Sequence, residues 1–322
     1  METGKKCKVG ILYCNQNKVH NVVANQIFEL LQAPASESDY LPWLISTKLD
    51  EYAFRANVSL LADKEVNLIL VFGEFFSVLL CQIYRESREY QTVFIGVTDP
   101  VQLGLVQSLE KPGGSMSGVR MEPAPEDIQA DVLARCFPYV SKVLIPYCSK
   151  ALSGRVKLRA ESAAERFRSS GICVQLYPID MPEDAIEVVF KNIDFFDGVL
   201  VLEGCSTTAV VREIAAICLQ YKKVFCSNNG WHGIEMGATF SYGPNWDETA
   251  KQAVKMIRLW WDERQPLATQ SVVTLSNNRV FFVNEVSLRQ IGDVQALIER
   301  LMQIDGVRLV RCWPNTFLSD VL

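Results

Sequence analysis

Polar, acidic and aromatic residues stand directly after several short apolar runs of this 322-residue chain, where the predicted strands end. In open α/β sheets, ligands bind outside the carboxyl ends of the strands, beside the N-termini of the following helices. Glu74 and Glu203 are the most informative of these positions, because two carboxylates at one site attract a cationic or amine-bearing molecule. Tyr147 and Trp231 add aromatic faces, which attract cations by roughly 0.5–2 kcal/mol. The candidate ligand-binding residues are Asn15, Glu74, Asp99, Tyr147, Ser153, Glu203, Ser206, Asn228 and Trp231.

A catalytic interpretation needs reactive groups that this sequence supplies only sparsely. The chain has two histidines, His20 and His232, and we expect His20 on the surface of the first helix. A nucleophile at Cys148 or Cys205, activated by His232, lacks an identifiable third group to orient the pair. The two candidate glutamates suit general acid–base chemistry and ligand binding equally well. Since there is no P-loop, dinucleotide fingerprint or metal motif, we predict a binding protein without cofactor or metal, not an enzyme.

Several candidate residues also have a purely structural interpretation. Asp99 followed by Pro100 is typical of a helix start, with Asp as the N-cap and Pro at the first helical position. Ser206 suits an N-cap, and Asn228 suits a turn. The helix dipole alone accounts for an acid at position 74, and both aromatic residues fit the packed rim of a pocket as well as its wall. Both interpretations stay open at these positions.

Alternation of short apolar runs with helical patterns of about 10–15 residues predicts parallel sheets covered by helices on both faces. The alternation occurs twice, and 322 residues exceed the usual size of a single core. The predicted fold class is therefore α/β, with two doubly wound, Rossmann-like lobes.

The segment Val93–Val119 carries the most specific pattern in the chain. An apolar strand ends in Thr98-Asp99-Pro100, where Pro100 prevents a central strand from continuing because it has no backbone N–H. An amphipathic stretch follows and predicts a helix. The turn Lys111–Gly114 would end that helix, since its two glycines permit positive φ.

This segment closely resembles the hallmark of the ABC-transporter substrate-binding family with the type I periplasmic-binding-protein fold, which includes tryptophan- and tyrosine-binding members. Ser115 replaces the usual Asn of that pattern, and Ser117 replaces the usual Thr. The matching positions are Asp99, Pro100, Gly104, Leu105, Ser108, Leu109, Pro112, Gly113, Gly114, Gly118 and Val119.

The resemblance implies two lobes joined by about three chain crossings. Residues 1–119 plus 243–272 form the first expected lobe, and residues 120–242 plus 280–322 form the second, with 293–322 as a C-terminal extension. The lobes are expected to close on a small polar or amphipathic ligand such as an amino acid or amine. It further implies a monomer that delivers its ligand to the membrane subunits of an ABC permease if it is exported. Glu74 departs from the family, because relatives carry a small Thr there. Leu152-Ser153-Gly154 replaces an Asn-Ser dipeptide, and Glu203 lies near an Asp-Asn pair of the amino-acid-binding relatives. The acids at 74 and 203 favour a ligand with an amine, whereas the loss of the Asn of the Asn-Ser dipeptide argues against simple transfer of the relatives' amino-acid specificity.

Charge and composition limit the remaining partners. The formal charge of −5 and the pI near 5.3 argue against a nucleic-acid surface. The resemblance implies an extracytoplasmic protein, periplasmic or lipid-anchored. Met1–Lys8 lacks the apolar region of a signal peptide, and the ten cysteines show no disulfide framework, so a cytoplasmic location stays open.

The alternative function is an intracellular or receptor-type ligand sensor of the same fold, since a fold alone does not fix function. Such a sensor needs a partner surface. The predicted helix Asn245–Asp262, with Trp246, Trp260 and Trp261, is the candidate for it.

Overall fold

The computed structural model describes residues 6–33, 40–86, 90–121, 126–149, 155–202, 207, 209–228, 230–275, 279–292, 294–304 and 309–312. The chain divides into two compact units: unit 1 is Met1–Pro123 with Asn245–Asn278, and unit 2 is Ala124–Pro244 with Arg279–Leu322. Each unit is an α/β domain, which confirms the predicted fold class. In the part of the chain that is described, no helix is long and apolar enough to cross a membrane.

In chain order the strands are β1 (Cys7–Cys14), β2 (Tyr40–Thr47), β3 (Leu68–Phe72), β4 (Gln91–Val97), β5 (Met116–Arg120), β6 (Lys142–Cys148), β7 (Cys173–Ile179), β8 (Gly198–Val201), β9 (Val224–Ser227), β10 (Phe240–Pro244), β11 (Val273–Thr274), β12 (Arg279–Asn284) and β13 (Leu309–Cys312). The helices are α1 (Lys18–Gln32), α2 (Glu51–Asp63), α3 (Glu74–Glu86), α4 (Glu126–Cys136), α5 (Arg155–Ser169), α6 (Pro182–Asn192), α7 (Val211–Gln220), α8 (Trp231–Glu235), α9 (Trp246–Trp261), α10 (Glu285–Ile291) and α11 (Val294–Leu301). Two short 3₁₀ helices cover Ile193–Phe195 and Leu267–Thr269.

Unit 1 is built on a six-stranded parallel sheet in the order β11-β5-β4-β3-β1-β2. Every residue of the central strand β3 is buried, as expected for a parallel strand with both faces covered. Asn17 and Asp50 cap α1 and α2 with their side chains, which fixes where these helices begin beside the sheet. The parallel register places the carboxyl ends of β1, β3 and β4 along one edge.

Unit 2 has a seven-stranded sheet in the order β13-β12-β10-β9-β8-β6-β7. Strands β6 to β10 are parallel, whereas β12 runs antiparallel to β10 and β13 runs parallel to β12. β12 starts where β10 ends, with Arg279 paired to Pro244, so the two strands run in opposite directions. Separate apolar clusters pack on this sheet, one including Phe167 and Phe281 and the other including Ile214 and Phe225.

The helix predicted after Pro100 is wrong. Residues 100–104 form a single turn, in which the Leu103 N–H donates to the Asp99 carbonyl at 3.1 Å. Gly104 has φ +67° and ends that turn, and Leu105 is buried directly after it. The backbone then pairs elsewhere in unit 1, as when Val272 N–H donates to the Leu109 carbonyl at 2.7 Å. Non-local hydrogen bonds thus replace the helical ones.

The tryptophans of α9 pack within unit 1. Trp246 is buried, and Trp260 and Trp261 lie half-buried against the cluster formed by β1, β3, β4 and α1. The Trp260 and Trp261 rings are 5.6 Å apart, and the Arg264 guanidinium lies 5.1 Å from the Trp261 ring. These contacts favour a packing role for the pair.

Candidate functional site

The carboxyl ends of β1, β3 and β4 form the unit 1 edge, which holds Asn15, Glu74 and Asp99. Asn15 is exposed, and its backbone N–H donates to the Thr47 carbonyl at 3.0 Å. Asp99 is also exposed, and its Oδ1 accepts a hydrogen bond from the Gln102 N–H at 3.0 Å. Asp99 therefore stabilises the turn after β4 in the manner of an N-cap, although that turn does not continue as a helix.

Glu74 is the first residue of α3 and is half-buried at the unit 1 edge. Its Oε1 accepts a hydrogen bond from the Thr98 backbone N–H at 3.0 Å and another from the Thr98 hydroxyl. These bonds connect the start of α3 to the end of β4. No described residue donates to Oε2, so one oxygen of this carboxylate stays available.

His20 is a buried residue of the unit 1 edge, so the predicted surface position is wrong. It lies in the first turn of α1 with 7% of its surface exposed, and its ring centroid is 5.3 Å from that of Phe72. Its Nδ1 is buried and has no hydrogen-bond partner among the described residues. Burial lowers the pKa of His20 from the ordinary 6.5 to about 4, so the ring is uncharged at neutral pH.

Helical spacing could have found this burial from the sequence. His20, Ala24, Ile27 and Leu31 recur at intervals of three and four residues along α1, and all four are buried. An imidazole on the apolar face of an amphipathic helix is expected to pack toward the sheet.

The carboxyl ends of β6, β8 and β9 form the unit 2 edge. Tyr147 lies near the end of β6, is 7% exposed and belongs to an apolar cluster. Asn228 follows β9 and is 1% exposed. Trp231 is 37% exposed at the start of α8, and its ring centroid is 6.0 Å from that of Phe282. Of these three side chains, Trp231 presents the largest exposed fraction.

A buried hydrogen-bond network fixes the end of β9. The Ser227 carbonyl accepts from Gln129 Nε2 at 3.1 Å and from the Ser241 hydroxyl at 2.9 Å. Gly230, with φ +58°, turns the chain toward Trp231. No local pattern indicates this role of Gln129, because it lies in α4, about 100 residues before Ser227.

The other predicted site residues, Ser153, Glu203 and Ser206, lie outside the described residues. So does Cys205, one of the two possible nucleophiles. The other, Cys148, donates from its thiol to the Asp180 carbonyl at 3.8 Å. His232 Nδ1 instead bonds the Glu235 carboxylate at 2.7 Å, so each member of the proposed Cys–His pair has a different partner.

The described residues contain no group of three or more His, Cys, Asp or Glu side chains that could hold a metal ion. The available chemistry at the two edges is therefore hydrogen bonding, attraction of positive charge by Glu74, and aromatic contact at Trp231. These are the means by which proteins bind small molecules in concave sites.

Comparison with known proteins identifies the family. Residues 48–301 match the ABC transporter substrate binding protein family. The tyrosine-binding protein of Clostridioides difficile (strain R20291) is 29% identical over 75 residues, which make up 23% of this chain and only 21% of that protein's length.

Solved structures share the fold at low sequence identity. A conserved domain protein from Vibrio cholerae superposes with a TM-score of 0.79 and 16% identity over 92% of this chain and 98% of that chain. The ABC domain from Streptococcus pneumoniae in complex with L-Trp superposes with a TM-score of 0.78 and 16% identity over 95% of this chain and 100% of that chain. Because the family match covers most of the sequence, this chain belongs to the ABC transporter substrate-binding protein family, with the type I periplasmic-binding-protein fold.

Proposed function

We propose that this protein binds a small amine-bearing molecule, of the size of an aromatic amino acid, as the solute-binding component of an ABC-type uptake system. The observation that carries the proposal is Glu74. It places a carboxylate at the carboxyl end of β3, holds one oxygen with two hydrogen bonds from Thr98, and leaves Oε2 without a donor among the described residues.

The geometry of Glu74 favours a cation over an anion. A carboxylate fixed by two hydrogen bonds cannot turn away from a bound group without breaking them. Its negative charge attracts an ammonium group and repels a carboxylate. A charge-assisted hydrogen bond from an ammonium group to Oε2 is stronger than one between neutral groups.

Two further observations support an aromatic amine as the ligand class. The half-exposed Trp231 ring at the unit 2 edge suits stacking on a flat or cationic group. Among the similar proteins, one is named a tyrosine-binding protein and another was solved with L-Trp. Glu203, Ser153 and Ser206 stay proposed ligand contacts of unit 2, as do Tyr147 and Asn228, and Asn15 and Asp99 stay proposed contacts of unit 1.

The manner of action follows from the family and stays a prediction. Substrate-binding proteins work with ABC permeases. We propose that this chain acts outside the cytoplasm as a monomer, and that its two lobes close around the ligand by hinge motion. A decrease in the radius of gyration on ligand addition, measured by small-angle X-ray scattering, is the expected sign of closure. No change at saturating ligand would contradict it.

A thermal-shift screen with matched ligands tests the function, because a ligand that binds only the folded state raises the melting temperature. The set is L-tyrosine, L-tryptophan, tyramine, tryptamine and 3-(4-hydroxyphenyl)propionate. We expect the amino acids or the amines to raise the melting temperature, and the propionate, which lacks the amine, to have no effect. Chromatography should recover the ligand unchanged, since the family binds and does not convert its substrates.

Glu74→Gln is the decisive variant. Its amide oxygen can still accept from Thr98, while the charge is lost, so we expect affinity for the amines to fall about tenfold or more. Glu51→Gln is the matched control, because Glu51 is also the first residue of a 13-residue helix. Equal affinities for the wild type and Glu74→Gln would exclude an amine at this carboxylate.

A further inference from the structure

His20 stands at the point of unit 1 where the strand order reverses. The chain runs from β1 to the outermost strand β2 and then returns to β3 on the other side of β1. Ligands of doubly wound sheets bind at such switch points, outside the carboxyl ends of the two central strands. His20 lies in the first turn after β1, and Gly73 directly follows β3.

Gly73 leaves the imidazole edge of His20 uncovered by a side chain. A Cβ atom on Gly73 would lie 3.4 Å from His20 Cε1, and no other described atom beyond its chain neighbours lies within 4 Å of that position. Gly73 also has φ +82°, a conformation that side chains other than glycine rarely adopt. Glycine at position 73 therefore leaves the space beside the imidazole open.

Cε1, the ring atom beside this space, is bonded to Nδ1, and Nδ1 lacks a partner among the described residues. Nδ1 is buried and receives no hydrogen bond from the described residues, although the residue is 7% exposed. Buried polar atoms are nearly always paired, so an orphan of this kind needs an explanation. Phe72 contacts the ring but offers no polar group.

The uncharged imidazole of His20 and the nearby Glu74 carboxylate determine which ligand group would form a hydrogen bond with His20. The ring is uncharged at neutral pH, because burial lowers the pKa of His20 to about 4. A neutral imidazole has one ring nitrogen that accepts a hydrogen bond. Glu74, the residue after Gly73, disfavours a ligand anion nearby. A hydrogen-bond donor is the group that satisfies both residues.

We propose that His20 contacts the ligand at this switch point, with Nδ1 accepting a hydrogen bond from an N–H or O–H group of the ligand. The inference rests on the proposed binding function and extends it. Glu74 binds the amine on the β4 side of Gly73, and His20 accepts a hydrogen bond from a second donor group of the ligand on the β1 side. Unit 1 then selects ligands with two separated donor groups, such as the ammonium and phenol groups of tyramine.

Isothermal titration with tyramine and L-tyrosine tests the inference in three variants. His20→Phe removes the acceptor and keeps an aromatic ring beside Phe72, so we expect affinity to fall at least tenfold. His20→Asn keeps a polar atom close to the position of Nδ1 and should retain affinity within a few-fold of the wild type. Ser115→Ala is the matched control, because Ser115 also has a buried, unpartnered polar atom but lies before β5, away from this edge.

The outcomes separate this inference from the proposed function. Binding that is lost in Glu74→Gln but unchanged in His20→Phe overturns the role of His20 and leaves the function standing. Absence of binding in the wild type overturns both.

A measurement on folded protein with the native His20 does not depend on how the substitution packs. The chain has only two histidines, so His232→Gln leaves His20 as the single imidazole in a ¹⁵N spectrum. A shift of the Nδ1 resonance when tyramine saturates the protein supports the contact. An unchanged resonance contradicts it.

Discussion

The two edges where ligands are expected to bind differ in how their polar groups are held. At the unit 1 edge, Glu74 and His20 each keep a polar atom that no described residue contacts by hydrogen bonding. At the unit 2 edge, Ser227 is held by two hydrogen bonds, and Tyr147 is 7% exposed inside an apolar cluster. Gln129 Oε1, beside Ser227, is also buried without a partner among the described residues, so orphan atoms alone do not distinguish the two edges. The difference is charge: the unit 1 edge presents the Glu74 carboxylate, whereas the described part of the unit 2 edge presents neutral polar groups and the exposed Trp231 ring.

This difference suggests a division of roles within one binding protein. A carboxylate oxygen that has no donor among the described residues attracts a positively charged ligand group. A rigid, well-packed edge with an exposed ring gives contact area that tolerates different ligands. Unit 1 would then decide which ligand binds, and Trp231 of unit 2 would add affinity with little selectivity.

The largest expected effect is a loss of folding stability at low pH, caused by the burial of His20. The folded-state pKa of His20 is lowered from 6.5 to about 4, so the unfolded chain takes up a proton first as the pH falls. The stability that His20 contributes in its neutral form is complete above pH 6.5 and is lost as the pH falls toward 4. Between pH 7 and pH 4 this removes about 3 kcal/mol from the free energy of unfolding, as measured by urea denaturation.

Two variants determine whether this pH dependence belongs to unit 1. His20→Phe should lose this part of the pH dependence, whereas His232→Gln in unit 2 should keep it. If the wild type and His20→Phe lose the same stability between pH 7 and pH 4, His20 is not the buried neutral group described above.

A smaller effect tests the rigidity of the unit 2 edge. A Cβ on Gly243 would lie 2.5 Å from the Gly230 nitrogen and 2.9 Å from the Asn228 carbonyl oxygen, both of them backbone atoms. Gly243→Ala should therefore lower the free energy of unfolding by about 2 kcal/mol and weaken ligand binding, because the loop before Trp231 must move. Gly114→Ala in unit 1 meets no atom within 4 Å and should change the free energy of unfolding by less than about 0.5 kcal/mol. Equal stabilities for the two variants would show that the loop is not tightly packed.

Much of the fold was predictable because periodic burial is a local property of the sequence. Helix α2, Glu51–Asp63, has both of its local signals in the sequence, since an Asp cap precedes it and Phe54, Val58 and Leu61 recur on one face. Strands such as β3 stand out as short apolar runs, and the pattern Val93–Val119 indicated the family that residues 48–301 match.

The errors lie where non-local contacts decide the outcome. The stretch after Pro100 has a helical pattern, but its backbone pairs with residues near 268–272, which no local pattern reveals. The bond from Thr98 to Glu74 joins the end of β4 to the start of α3, and that from Gln129 to Ser227 joins a helix to a strand. Glu74 was predictable as a candidate because it follows a strand, whereas His20 lies inside a helix, and its burial was not predicted.

The most direct test of the central claim is a crystal structure of the protein with bound tyramine. We expect the ammonium nitrogen within about 3 Å of Glu74 Oε2, at hydrogen-bond distance. Tyramine bound with its ammonium group away from Glu74, or facing only unit 2, would contradict the assignment of ligand selection to unit 1.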